Sequence, residues 1–270
     1  MTLRPALLSL LLVFMVPLQG EAADARSPRG SASDTAAGDR AFLPFEWARA
    51  FWQSLNPRKG TIDLPGGIAM IDVPEGFIFL DADDTERVLT EAWGNPPGSG
   101  ALGMLLPDGM TPFDAGAWAV TITYEETGHV SQDRSAQLDA AKLLSMMQRD
   151  AARETETRKE EGYESFAVVG WMQQPHYDSL SHTLSWGRVL RFGSLQGNTL
   201  NLSIRVLGRR GTLSIELVAD EVRGAEVAQA FSRLLTMVHF NPGHRYEDFD
   251  AASDRVSETG LAELIMAAAP

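Results

Sequence analysis

Hydrophobic and polar residues alternate through two adjacent runs, and this alternation constrains the chain more than any other feature. In 198–207, Leu200, Leu202, Ile204 and Val206 alternate with Asn201, Ser203 and Arg205; in 212–218, Leu213, Ile215 and Leu217 alternate with Thr212, Ser214 and Glu216. Successive side chains of an extended chain point to opposite faces, so this period of two predicts half-buried antiparallel strands. Gly208 and Gly211 bracket Arg209 and Arg210 between the runs, which suits a tight hairpin. The stretch begins at Phe166 and passes through Trp171 and Pro175-His176-Tyr177-Asp178. Its expected structure is a meander covered by helices.

The flanking segments read as mixed strands and helices. Thr61–Leu64 and Ile68–Val73 form a strand–turn–strand around Pro65-Gly66-Gly67, and Pro74-Glu75-Gly76 turns the chain into a strand at Phe77–Leu80. Asp83 or Asp84 caps a helix running to Trp93, which Gly94-Asn95-Pro96-Pro97 stops. Ala101–Leu106 and Trp118–Glu125 are strands. Helices are expected at Ser135–Gly162, at Val222–Phe240 (stripe Val227, Phe231, Leu234, Leu235, Val238) and near Ala252–Ala269. Consecutive strands lie too close for crossover helices, so the fold class is α+β: a single antiparallel β-sheet of hairpins and meanders packed by long helices.

The N-terminus carries an export signature. Arg4 precedes the apolar run Ala6–Val16, Pro17 ends it, and Gly20-Glu21-Ala22 or Ala23-Asp24-Ala25 offers a small-residue cleavage site. Residues 1–22 therefore read as a signal peptide, 23–41 as a disordered linker rich in Ser, Ala, Gly and Asp, 42–58 as an aromatic-rich helix and 59–270 as one α+β domain. The expected compartment is the periplasm, in possible association with the inner membrane. A formal net charge of -13 opposes nucleic-acid binding, because phosphates meet a repulsive mean field. The absence of cysteine excludes disulfides, thiol catalysis and cysteine-ligated zinc.

A set of short motifs gives the chain a family resemblance. In order they are Val73-Pro74-Glu75-Gly76-Phe77, Trp93-Gly94-Asn95-Pro96-Pro97, Leu102-Gly103-Met104-Leu105-Leu106-Pro107, Tyr124-Glu125-Glu126 before Gly128-His129-Val130, Gly170-Trp171 with Pro175-His176-Tyr177-Asp178, Val206-Leu207-Gly208-Arg209-Arg210-Gly211, and Gly243-His244-Arg245-Tyr246-Glu247-Asp248-Phe249. Through them the chain resembles an uncharacterised bacterial family of membrane-anchored proteins, domain of unknown function 2167, over about residues 60–265. The resemblance implies an exported domain and no known activity. Where that family's anchor would begin, this chain ends in Leu264-Ile265-Met266-Ala267-Ala268-Ala269, too short to span a bilayer. The order of elements also resembles the α/β sandwich of PsbP-type proteins, a fold-level analogy only.

The candidate chemistry is thin. His176 and His182 flank Tyr177 and Asp178, and with Glu125-Glu126 they are the residues a periplasmic metal-dependent hydrolase would use. The alternative is that Tyr177 and Asp178 fix a corner by hydrogen bonds. Asp133 and Asp139 extend the acidic neighbourhood, with Asp133 expected to favour the start of the following helix. Arg209 and Arg210 at the hairpin tip suit an anionic partner, a lipid headgroup or a protein carboxylate, or else fold onto the acidic surface. Tyr246 and Asp248 follow a glycine turn as a loop-fixing or binding pair. No nucleophile elbow or phosphate loop surrounds any serine or glycine run. Trp93, Trp118, Trp171 and Trp186 are expected in the core. The expected function is an exported binding module with an envelope protein or lipid partner, using Arg209, Arg210, Tyr177, Asp178, Tyr246 and Asp248, with no catalytic residue, metal or cofactor assigned.

Overall fold

A computed structural model describes residues 45–132, 138–160, 165–193 and 196–267. The expected signal peptide and linker lie outside them. Helix α1 (Phe45–Ser54) leads to a short strand pair, β1 (Thr61–Asp63) and β2 (Ala69–Asp72), and then to β3 (Phe77–Asp81). Helix α2 (Ala82–Arg87) follows and continues as a π-helical turn over Val88–Ala92. Its cap is Asp81 rather than Asp83 or Asp84: the Asp81 carboxylate accepts the Asp84 N–H at 3.1 Å. The chain continues through β4 (Gly103–Pro107), β5 (Ala119–Glu125), α3 (Ala140–Glu160), β6 (Phe166–Asp178), β7 (Thr183–Phe192), β8 (Thr199–Leu207) and β9 (Thr212–Asp220). It ends with α4 (Gly224–Leu234), β10 (Val238–Phe240) and α5 (Leu261–Ala267).

The strands form two antiparallel sheets rather than the expected single one. Seven strands run in the order β3-β4-β5-β9-β8-β7-β6, and three in the order β1-β2-β10. Pro74, which lacks an N–H, and the left-handed Gly76 turn the chain out of β2, so β3 joins the large sheet instead of extending the small one. The second correction has the same origin. The helix expected over Val222–Phe240 stops at Leu234, because Val238, His239 and Phe240 pair with Ile71, Met70 and Ala69 of β2. Their backbone groups find partners more than a hundred residues away, and no local periodicity signals that pairing. The last helix is likewise shorter than expected. Residues 250–254 form a turn closed by bonds from the Ser253 and Asp254 N–H groups to the Asp250 carbonyl.

The large sheet separates two cores. On one face, Leu200, Leu202, Ile204, Leu213, Ile215 and Leu217 pack on Val227, Phe231 and Leu234 of α4 and on Ile62 and Ile71 of the small sheet. On the other face, α1 and α2 cover β3 and β4 through Phe51, Val88, Leu89 and Trp93. Helices α3 and α5 cover β6 and β7 through Leu143, Met147, Leu264 and Ile265. Thr155 ties α3 to the sheet edge, its hydroxyl donating to the Phe166 carbonyl (2.7 Å) and accepting the Phe166 N–H (3.1 Å). Among the described residues no helix is long and apolar enough to cross a membrane.

Candidate functional site

The antiparallel order brings distant motifs to one end of the large sheet. The β6–β7 and β8–β9 hairpin tips lie there, together with the chain leaving β5 and the loop 243–257. Backbone bonds knit these segments: Gly128 N–H to the Arg210 carbonyl (2.9 Å), His129 N–H to the Arg255 carbonyl (2.8 Å), Leu207 N–H to the His182 carbonyl (2.9 Å) and Arg209 N–H to the His244 carbonyl (2.9 Å). The hairpin glycines are required by close approach. A Cβ on Gly211 would sit 2.2 Å from the Glu125 carbonyl oxygen, and one on Gly208 would sit 2.7 Å from the Phe240 ring.

Side chains complete the knot. Asp254, whose side chain is 0% exposed, accepts Arg209 Nε–H at 2.6 Å, Arg210 Nε–H at 2.9 Å and the Asp250 N–H at 2.9 Å. The bond from Arg209, then those from Asp250 and Arg210, hold its carboxyl well below the usual carboxylate range. Asp248 accepts the Gly243 and Arg245 N–H groups (2.7 and 3.0 Å). Tyr246 donates to the Val130 carbonyl at 2.8 Å. Its ring lies between two imidazoles, 4.0 Å from His182 and 4.2 Å from His129, and His129 in turn stacks on Phe249 at 4.0 Å. The left-handed backbone of His182 (φ 50) turns the hairpin tip where this stack forms. Tyr177 donates to Gln132 Oε1 at 3.0 Å and stands 3.3 Å from His182 Nδ1. Asp178 accepts the Leu180 N–H (2.9 Å) and the Ser181 hydroxyl (2.8 Å). That turn presents Leu180, 92% exposed, at the rim.

All six residues nominated from the sequence therefore fall in one assembly, each with a defined partner. The two arginines are drawn inward onto Asp254, although Arg210 remains 51% exposed. The hydrolase set is not brought together. His176 is exposed on β6, Asp178 is used in its turn, His182 is stacked, and Glu125, the last residue of β5, and Glu126 just after it are exposed. Among the described residues no group of three or more His, Cys, Asp or Glu could hold a metal ion. Asp133 lies outside the described residues; Asp139 caps α3, accepting the Lys142 N–H at 3.0 Å. Sequence reading missed Asp254, which lies in a stretch that reads as helix, and gave no role to His129, whose Gly-His-Val motif was its one signal.

Burial and local hydrogen bonds shift several titratable groups of this end. Burial lowers both His129 and His182, and burial, with Tyr246 and Asp178 nearby, raises Tyr177. The Leu180 N–H first, then the Ser181 hydroxyl, lower Asp178.

Fold and site together define an antiparallel α+β domain, layered as a sandwich, whose loops are locked into one polar and aromatic knot. The chain belongs to a family of proteins of unknown function, DUF2167, whose profile matches residues 56–269. No curated protein matches it in sequence. The solved structures that resemble it distantly include the following three. Cyanobacterial PsbP from Synechocystis sp. has 13% identity and a TM-score of 0.36, covering 80% of this chain and 100% of its own. The Ran-binding protein Mog1p of Saccharomyces cerevisiae has 13% identity and 0.34, covering 69% and 96%. LpqN of Mycobacterium tuberculosis, involved in cell envelope biogenesis, has 11% identity and 0.34, covering 74% and 98%. Scores of this size leave the description of the fold to the chain's own topology.

Proposed function

We propose that the protein is an exported, non-enzymatic binding module of the cell envelope, and that its knotted loop end contacts a protein partner. The observation that carries this reading is the rim itself: an almost fully exposed Leu180 and a half-exposed Arg210 stand on loops fixed by side-chain bonds. A rigid support lowers the entropy lost on association, an exposed leucine adds apolar area to bury, and arginine is enriched in binding hot spots. The N-terminal export signature supports the compartment.

The test is a gentle pull-down of the chain from envelope fractions, read by native mass spectrometry, with Leu180→Asp and Arg210→Glu beside wild type. One protein retained at stoichiometric amount by wild type and lost from both variants is the expected result. Partners retained equally by all three forms would refute the assignment of this surface. Stoichiometric zinc on a partner-free chain would overturn the non-enzymatic reading.

A further inference from the structure

A second polar assembly lies mid-sheet, on the face turned to α1, α2, α3 and α5. Thr121 pairs with Glu216 across β5–β9, Glu216 with Ser203 across β9–β8, and Ser203 with Trp186 across β8–β7. Beside this row Arg188 pairs with Asn201 and Arg205 with Ser214. The apolar cluster of α1 and α2 reaches as far as Ala119, and those of α3 and α5 as far as Trp186, Leu190 and Leu207. The strip between them is polar yet buried, with Arg188 2% exposed.

Its bonding is organised around donors. Arg205 meets Glu216 at 2.6 Å and lies over the Trp186 ring, 5.1 Å from its centroid. Glu216 also accepts the Ser203 hydroxyl at 2.7 Å and the Asn201 amide at 3.4 Å. Arg188 donates to Asn201 Oδ1 through Nε at 3.1 Å and also through Nη2. Burial lowers Arg188 to about 10, so it remains cationic at neutral pH. Trp186 is wholly buried, and its Nε1–H has no acceptor among the described residues. A buried N–H left without an acceptor is destabilising, so the donor calls for one.

We propose that this strip binds a compact oxyanion, a carboxylate or a phosphate, between the Arg188 and Arg205 guanidiniums and the Trp186 indole N–H. Guanidinium forks match such oxygens in pairs, and the indole supplies a further neutral donor. Glu216 orients Arg205 and repels additional negative charge, which favours one small anionic group over a polyanion. The strip is distinct from the loop end and does not depend on the function proposed there.

The test follows the Trp186 indole N–H resonance in the full chain by NMR, identified among the six tryptophans by its loss in Trp186→Phe. Inorganic phosphate, acetate and glycerol 3-phosphate are titrated at constant ionic strength. A saturable shift with at least one of them is expected, with affinity at least tenfold weaker in Arg205→Gln. Response to phosphate alone or to acetate alone assigns the class, and tighter binding of glycerol 3-phosphate than of phosphate points to a lipid headgroup as the source. If Arg205→Gln fails to fold, Arg205→Lys keeps the charge but loses the fork and must weaken binding likewise. No saturable shift with any of the three, or binding unchanged in the arginine variants, would overturn the proposal.

Discussion

Gly211→Ala tests whether the loop end is held by steric fit. The backbone of Gly211 is not left-handed, so alanine carries no conformational penalty there. On that ground alone the substitution should stabilise by about 0.4–1 kcal/mol, because it restricts the unfolded chain. The structure opposes this gain. The new Cβ would lie 2.2 Å from the Glu125 carbonyl oxygen and 2.7 Å from Tyr124 Oη. Glu125 belongs to β5, paired with Thr212 of β9, so its carbonyl cannot retreat without opening the β5–β9 pairing. Overpacking of this kind costs about 1–3 kcal/mol, and contact with backbone rather than a flexible side chain places it at the upper end. The expected net loss is about 2 kcal/mol, a fall in Tm of about 4–8 °C for a chain of this size. Gly170→Ala is the control: its Cβ meets nothing within 4 Å and its φ is not left-handed, so it should gain up to about 1 kcal/mol. Thermal unfolding followed by tryptophan fluorescence reads both variants. Equal Tm values for Gly211→Ala and Gly170→Ala would refute the steric argument.

Other expectations follow from single contacts. Thr155→Val removes the hydroxyl that serves both backbone groups of Phe166 and should cost about 1–3 kcal/mol in urea unfolding, whereas an exposed Ser145→Ala should cost little. Asp254→Asn should destabilise at neutral pH. Because the folded-state pKa of Asp254 is lowered, its contribution is present above the unfolded carboxylate value of about 3.9 and is lost as pH falls further. The difference between Asn variant and wild type, measured as urea midpoints from pH 6 to pH 2, should therefore narrow below about pH 4. His129 and His182 are bases with lowered pKa values, so the folded state binds fewer protons than the unfolded one below about pH 6.5. Stability should fall as pH drops from 7 to 5, and His129→Gln with His182→Asn should flatten that slope.

Much of the fold is legible in the sequence where order is local. The alternation around Leu200–Val206 and Leu213–Leu217 places β8 and β9 correctly, and Gly208 and Gly211 mark their turn. The misreadings are at elements whose state depends on distant partners. Val238 continues the helical spacing of Val227, Phe231 and Leu234, yet it sits in a strand because Ile71 offers it an edge. For the site, Tyr177, Asp178, Arg209, Arg210, Tyr246 and Asp248 stand out by residue type and turn context, but nothing in their order shows that they meet.

The sequence by itself determined the antiparallel α+β class, the strands at the centre and the residues that mark the loop end, because side-chain periodicity and turn chemistry act over a few neighbours. Only the tertiary structure decided that there are two sheets and that Asp254 gathers both hairpin arginines. It alone set two histidines against Tyr246 and put Arg188, Arg205 and Trp186 on one buried strip. Those outcomes depend on which strands become neighbours, and strand pairing is settled by the summed burial of both sheet faces rather than by any one segment.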